Sequence, residues 1–85
     1  MASAISYTIN KNISVLTKSD SGWTKEINIV SWNGRDPKYD IRDWDPAHEK
    51  MGKGITLSPD EARAVAIAIL KDLGELPKKG VRKDG

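Results

Sequence analysis

Gly52-Lys53-Gly54-Ile55-Thr56-Leu57-Ser58-Pro59-Asp60-Glu61 passes from a strand directly into a helix. Ile55 and Thr56 are β-branched, and Gly52 to Leu57 reads as a short strand. Ser58 is a good N-cap, Pro59 suits the first helical position, and Glu61 completes a capping box. Downstream, Ala62, Val65, Ala66, Ile69, Leu70 and Leu73 fall at helical spacing and make one apolar face. Gly74 is a natural stop, with Pro77 just beyond it.

Upstream of this junction the period changes from helical to alternating. Ile5, Tyr7 and Ile9 alternate with Ser6, Thr8 and Asn10, and the pattern resumes at Ile13, Val15 and Thr17. That is one long irregular strand, or two short ones joined at Asn10-Lys11-Asn12. Ser19-Asp20-Ser21-Gly22 is turn chemistry, and a second strand is expected from about Trp23 to Ser31. Asn33-Gly34 is a strong hairpin signal, lengthened by Arg35-Asp36-Pro37. A third strand covers Lys38 to Trp44, ended by Asp45-Pro46, and Ala47 to Met51 reads as a polar loop. The expected class is α+β: a four-stranded antiparallel sheet followed by one C-terminal helix, residues 1–74 forming one domain and residues 75–85 a flexible basic tail. Ala64, Ile67 and Ala68 widen the helix's apolar surface beyond what one small sheet needs, which points to a homodimer formed through the helix.

With 85 residues, 38% of them apolar and no Cys or Phe, the core is modest; association is a common remedy at this size. The lack of cysteine removes disulfides and thiolate metal sites. The longest apolar run, Ala64 to Leu70, is far short of a bilayer span, and Met1 to Ile9 has no secretory character. A cytoplasmic protein with no membrane contact is expected. Net charge is +2, and the excess lies wholly beyond Gly74, in Lys78, Lys79, Arg82 and Lys83 against Glu75 and Asp84. Bulk charge is therefore too small to hold duplex DNA; any nucleic-acid site must sort cations onto one face.

Strand alternation does sort them. On the second strand Lys25, Ile27, Ile29 and Ser31 share a face, opposite Glu26, Asn28, Val30 and Trp32. If the isoleucines face the core, Trp32 lies on the other side. On the third strand the same rule puts Lys38, Arg42 and Trp44 with Trp32. Indoles beside cations are what unpaired nucleic acid requires: the rings stack on bases while Arg and Lys neutralise phosphates. Lys53, between Gly52 and Gly54, adds a cation where bare backbone could approach a phosphate. The competing reading of the same residues is packing, or a sheet face or edge that docks a peptide through the tryptophans.

Lys25 to Leu73 resembles the C-terminal domain of the positive cofactor four (p15) transcriptional coactivators, and in particular its bacterial YdbC-like branch. The residues that carry the likeness are Val30-Ser31-Trp32-Asn33-Gly34, Tyr39-Asp40-Ile41-Arg42-Asp43-Trp44 and Gly52-Lys53-Gly54-Ile55-Thr56-Leu57-Ser58. The resemblance implies a curved four-stranded sheet, dimerisation through the helices, and single-stranded DNA held across the sheets with little sequence preference. It places Trp32 and Trp44 at or beside the stacking aromatics and Arg42 at a phosphate-contacting arginine. Lys25 and Lys53 match basic channel positions, and Lys38 corresponds through a longer hairpin. Asn33 and Val30 stand where the family often has Lys and Arg, which implies a flatter salt dependence. Alternation puts Lys25 on the isoleucine face, whereas the resemblance puts it in the channel; a bulge near Lys25 or a place at the sheet rim would reconcile the two.

The sequence holds no further site. His48 is the single histidine and has no soft partner ligand, so no metal is expected. No nucleophile–base pair or phosphate loop is present, so no catalytic residue, cofactor or small-molecule substrate is expected and the protein reads as a non-enzyme. The expected ligand is single-stranded DNA, used in transcription, replication or repair. RNA stays open, because stacking reads the base face and the 2′-hydroxyl is read by other contacts.

Overall fold

A computed structural model describes residues 5–76; the basic tail lies outside the described residues, apart from its first two positions. Four strands and one helix follow in order: β1 (Tyr7–Lys18), β2 (Thr24–Trp32), β3 (Lys38–Trp44), β4 (Met51–Leu57) and α1 (Pro59–Leu73). The strands form one antiparallel sheet in the order β1-β2-β3-β4. The first segment is a single strand rather than two, and its irregularity takes the form of three register shifts against β2, between Ile9 and Lys11, Asn12 and Ser14, and Val15 and Thr17. β2 and β3 pair without a shift from Thr24–Trp44 to Val30–Lys38.

The local signals act where expected. Asn33 and Gly34 both take positive φ, 52° and 74°, and the Arg35 N–H donates to the Trp32 carbonyl at 2.9 Å. Two left-handed residues give the hairpin a twist that matches its strands. Asn33 also ties in the chain entry: its Oδ1 accepts from the Ser6 N–H, and its N–H donates to the Ser6 carbonyl. At the helix start, Ser58 Oγ accepts from the Glu61 N–H at 3.1 Å while Glu61 Oε1 accepts from the Ser58 N–H at 2.9 Å. Gly74, at φ 76°, closes the other end as Gly74 N–H reaches the Lys71 carbonyl and Glu75 N–H the Leu70 carbonyl.

The sheet is strongly curved. Trp44 pairs with Thr24, eight positions along β2 from Trp32; on a flat sheet those positions would be about 26 Å apart. Yet the Tyr7 ring lies 5.9 Å from Trp32 and 5.3 Å from Trp44. Bulges bend a strand and increase its twist, and β1 carries three of them. The concave face closes on its own side chains: Val30, Trp44, Asn28 and Asp40 have no exposed surface, and Glu26 has 4%.

This inverts the expectation that the isoleucine face is the core. Ile27, Ile29, Tyr39 and Ile41 do share a face, but within one chain they are only half-buried. No residue of α1 is buried, so the helix's apolar stripe does not cover the sheet. Alternation assigned the faces correctly; the side sealed within the chain is the other one.

The carboxylates and amides inside the concave face are paired, whereas the buried Trp32 and Trp44 indole N–H groups have no hydrogen-bond partner. Glu26 accepts from Thr24 Oγ1 at 2.5 Å, from Asn28 Nδ2 at 3.1 Å and from Asn12 Nδ2 at 3.3 Å, and it meets His48 Nε2 at 2.8 Å. Asn12 Nδ2 also donates to Asn28 Oδ1 at 2.6 Å. Burial pushes the Glu26 carboxyl up, but the hydrogen bonds from Thr24, Asn28 and His48, with the charge of His48, outweigh it and hold the group below 4.5. In the β3–β4 loop, the Lys50 and Glu49 N–H groups donate to Asp45 Oδ1 and lower that carboxyl too. A depressed carboxyl stabilises the fold above its unfolded pKa, and that contribution disappears as pH falls through the folded value. Urea midpoints should therefore drop between pH 5 and pH 3. Glu26→Gln should be about 1–3 kcal/mol less stable at pH 7 and show a shallower acid decline, Asp45 supplying the remainder. An equal decline in both proteins would show that Glu26 is not the linked group.

Candidate nucleic-acid interface

Trp32, at the end of β2, is half-buried at the rim of the concave face. The Arg42 guanidinium lies over its ring, with Cζ 4.8 Å from the ring centroid. Arg42 is held there by three hydrogen bonds to two partners. Its Nε donates to Asp40 Oδ2 at 2.8 Å, its second terminal nitrogen to Asp40 Oδ1 at 2.9 Å, and its first to the Gly52 carbonyl at 3.3 Å. A two-point arginine–carboxylate pair fixes orientation as well as charge. Thr56 Oγ1 donates to Asp40 Oδ1 at 3.1 Å, so the carboxylate is held from β4 as well as from its own strand.

Gly54 makes this arrangement possible. It pairs with Arg42 across β3 and β4, and the arginine side chain lies across it. A Cβ at residue 54 would come within 2.9 Å of Arg42 Nε and would collide with Arg42 Cβ. The bare backbone expected to receive a phosphate at Gly54 is thus occupied by arginine.

The six residues expected in the site do not all gather. Trp32 and Arg42 do, and Lys38, opposite Val30 at the start of β3, is exposed on the same face. Trp44 does not serve as an open platform: it has no exposed surface, stacks on His48 at 5.7 Å and lies against Tyr7. A base could reach it only by displacing those rings. Lys25 sits opposite Asp43 and pairs with it, Nζ to Oδ1 at 3.2 Å, on the face of Ile27 and Ile41. The pairing of β2 with β3 is unbroken through Lys25, and the irregularity beside it, between Val15 and Thr17, lies on β1, so Lys25 near the end of β2 keeps the isoleucine face. Lys53 is exposed where β4 bulges, Gly52 and Lys53 together facing Asp43 alone.

Three participants were not foreseen. Tyr7 bridges the two tryptophans and donates its hydroxyl to the His48 carbonyl at 2.5 Å. Asp40 is the partner of Arg42; opposite charges two apart on one strand are the sequence sign of such a pair. Arg35 is exposed in the connection that leaves Trp32, beside Lys38 in sequence but for Asp36 and Pro37. Among the described residues no group of three or more His, Asp or Glu could hold a metal ion, and no helix is long and apolar enough to cross a membrane.

Residues 19–67 match the family model described as Transcriptional Coactivator p15 (PC4). The matched span runs from the β1–β2 turn into α1 and contains Trp32, Arg42, Asp40 and Gly54. An uncharacterised protein of Treponema pallidum (strain Nichols) is 46% identical over 67 residues, an alignment that spans 79% of this chain and 73% of that protein. A curved four-stranded sheet continued by a capped helix, with the Asp-Ile-Arg and Gly-Lys-Gly segments paired across β3 and β4, accompanies a family match over more than half of the sequence: the chain belongs to the p15 (PC4) transcriptional coactivator family.

Proposed function

We propose that the protein binds single-stranded nucleic acid, DNA foremost, through stacking at Trp32 and phosphate contacts from the cations around it, without catalysing a reaction. The observation that carries this reading is the Trp32–Arg42 pair. A half-buried indole at the rim with a guanidinium fixed over it is a rigid surface on which a base can stack, and rigidity lowers the entropy lost on binding. The hairpin that leaves Trp32 adds two exposed cations, Arg35 and Lys38, and Lys53 adds a third on β4. Membership of a family known for nucleic-acid binding supports the same reading. A stacked duplex offers no free base face to such a ring, so single strands are the favoured ligand.

The assembly that suits this reading is a homodimer. Val65, Ile67, Ile69, Leu70 and Leu73 of α1 are exposed, Leu73 by 60%, and Ile55 of β4 is 52% exposed. Together with the half-buried isoleucines of β2 and β3, these exposed residues are the kind of apolar surface that marks an interaction site, and a second copy would cover it by symmetry. Light scattering should give twice the chain mass, and Ile69→Glu should return the monomer; a wild-type monomer at micromolar concentration would exclude the dimer.

Binding itself is read from tryptophan fluorescence during titration with a twenty-nucleotide oligothymidine. Quenching should weaken as salt rises, and a matching duplex should produce little. Trp32→Ala should lose about 1–3 kcal/mol, the usual worth of one stacked base. Lys38→Gln should flatten the dependence of log K on log salt by up to about 0.7, one phosphate contact's share. Salt-independent binding of peptides and none of oligothymidine would instead make this face a protein-docking surface.

A further inference from the structure

The three nitrogens of Arg42 are all engaged inside the protein, two by Asp40 and one by the Gly52 carbonyl. Its side chain is 14% exposed and that of Asp40 is fully buried. A cation whose charge is matched at 2.8 Å by a buried carboxylate, and whose three nitrogens each already donate within the protein, has little left to offer a phosphate. What remains available is the position of its plane over Trp32. We propose that Asp40 is a positioning residue that neutralises Arg42 and fixes it as the backing of Trp32, so that contact at Trp32 is stacking without a phosphate charge term. The inference rests on the single-strand reading given above and assigns to Arg42 a role other than neutralising the backbone. Phosphate charge is then met by cations that are not paired this way, such as Lys38.

The pair's neighbours fit that role. Thr56 Oγ1 holds Asp40 from β4, and Gly54 leaves the space in which the arginine lies flat. Neither contact would be needed for a lysine-like point charge projecting to solvent, whereas both fix the plane of a guanidinium.

The test compares wild type, Asp40→Asn and Asp40→Asn/Arg42→Gln in oligothymidine titrations over a range of NaCl concentrations. Asp40→Asn frees the arginine to swing outward, so its plot of log K against log salt should steepen by about 0.7, the share of one phosphate on a single strand. The double variant, which removes both charges and leaves no unpaired buried ion, should keep the wild-type slope. At high salt, where the phosphate term is screened, it should bind about threefold or more weakly, because Trp32 has lost its cation. A residue that merely supported the fold would move affinity without moving the slope in these two directions. The inference is overturned if the double variant is shallower than wild type by about 0.7 while Asp40→Asn is no steeper, since Arg42 would then already hold a phosphate. If Asp40→Asn does not fold, the double variant decides alone: an unchanged slope upholds the inference and a shallower one removes it. Failure of the wild type to bind oligothymidine at any salt would sink the single-strand reading and this inference together, an outcome distinct from a changed slope.

Discussion

The ion pair between Asp40 and Arg42 is the constraint around which the concave face is arranged. A carboxylate with no exposed surface must be paired and hydrogen-bonded, since an isolated buried charge costs several kcal/mol. Asp40 meets that demand with two nitrogens of one guanidinium and the Thr56 hydroxyl. Meeting it dictates other residues in turn. Position 54 must lack a side chain, the arginine must lie flat, and the ring of Trp32 is where the flat cation comes to rest. Three strands are coupled by these contacts: Trp32 from β2, Asp40 and Arg42 from β3, Gly54 and Thr56 from β4.

Curvature is what turns this pair from a surface feature into an interior one. A flat four-stranded sheet would expose both faces unless helices covered them. Here the bulged β1 brings Tyr7 over two tryptophans whose strand positions are far apart, and the concave face is sealed without help from α1. The helix, freed of that duty, leaves its apolar residues exposed. The chain thus separates two tasks that a single small core usually combines. Its polar interior fixes the candidate site, and its apolar residues are left exposed on the outside.

Much of this was legible in the residues. Asn33-Gly34 specified the hairpin because both positions require positive φ, and Ser58 with Glu61 specified the helix start because each completes the other's hydrogen bond. Period-two alternation put Trp32, Lys38 and Arg42 on one face, and the structure keeps them there. Alternation states which residues share a face; it does not state which face becomes covered, because that depends on curvature. Trp44 illustrates the limit. Its face was correct, but the rings that bury it belong to Tyr7, far upstream, and to His48, in a loop that no period describes. Lys25 illustrates the reverse. Alternation alone placed it with the isoleucines, and its pairing with Asp43 agrees.

Family membership and local geometry constrain different parts of the site. The family match brings the expectation of a nucleic-acid surface, and a basic residue at a matched position is easily read as a phosphate contact. The geometry of Arg42 argues from its own donors instead. Each nitrogen already has an acceptor, and the nearest charge is a carboxylate that water does not reach. To swing outward to a phosphate, that guanidinium would have to leave Asp40 unpaired inside the sheet, at a cost larger than one phosphate contact returns. Lys38 faces no such cost, because it is exposed at the start of its strand. Cations of one face therefore divide by burial: Lys38 stands in solvent, and Arg42 is held against the ring of Trp32.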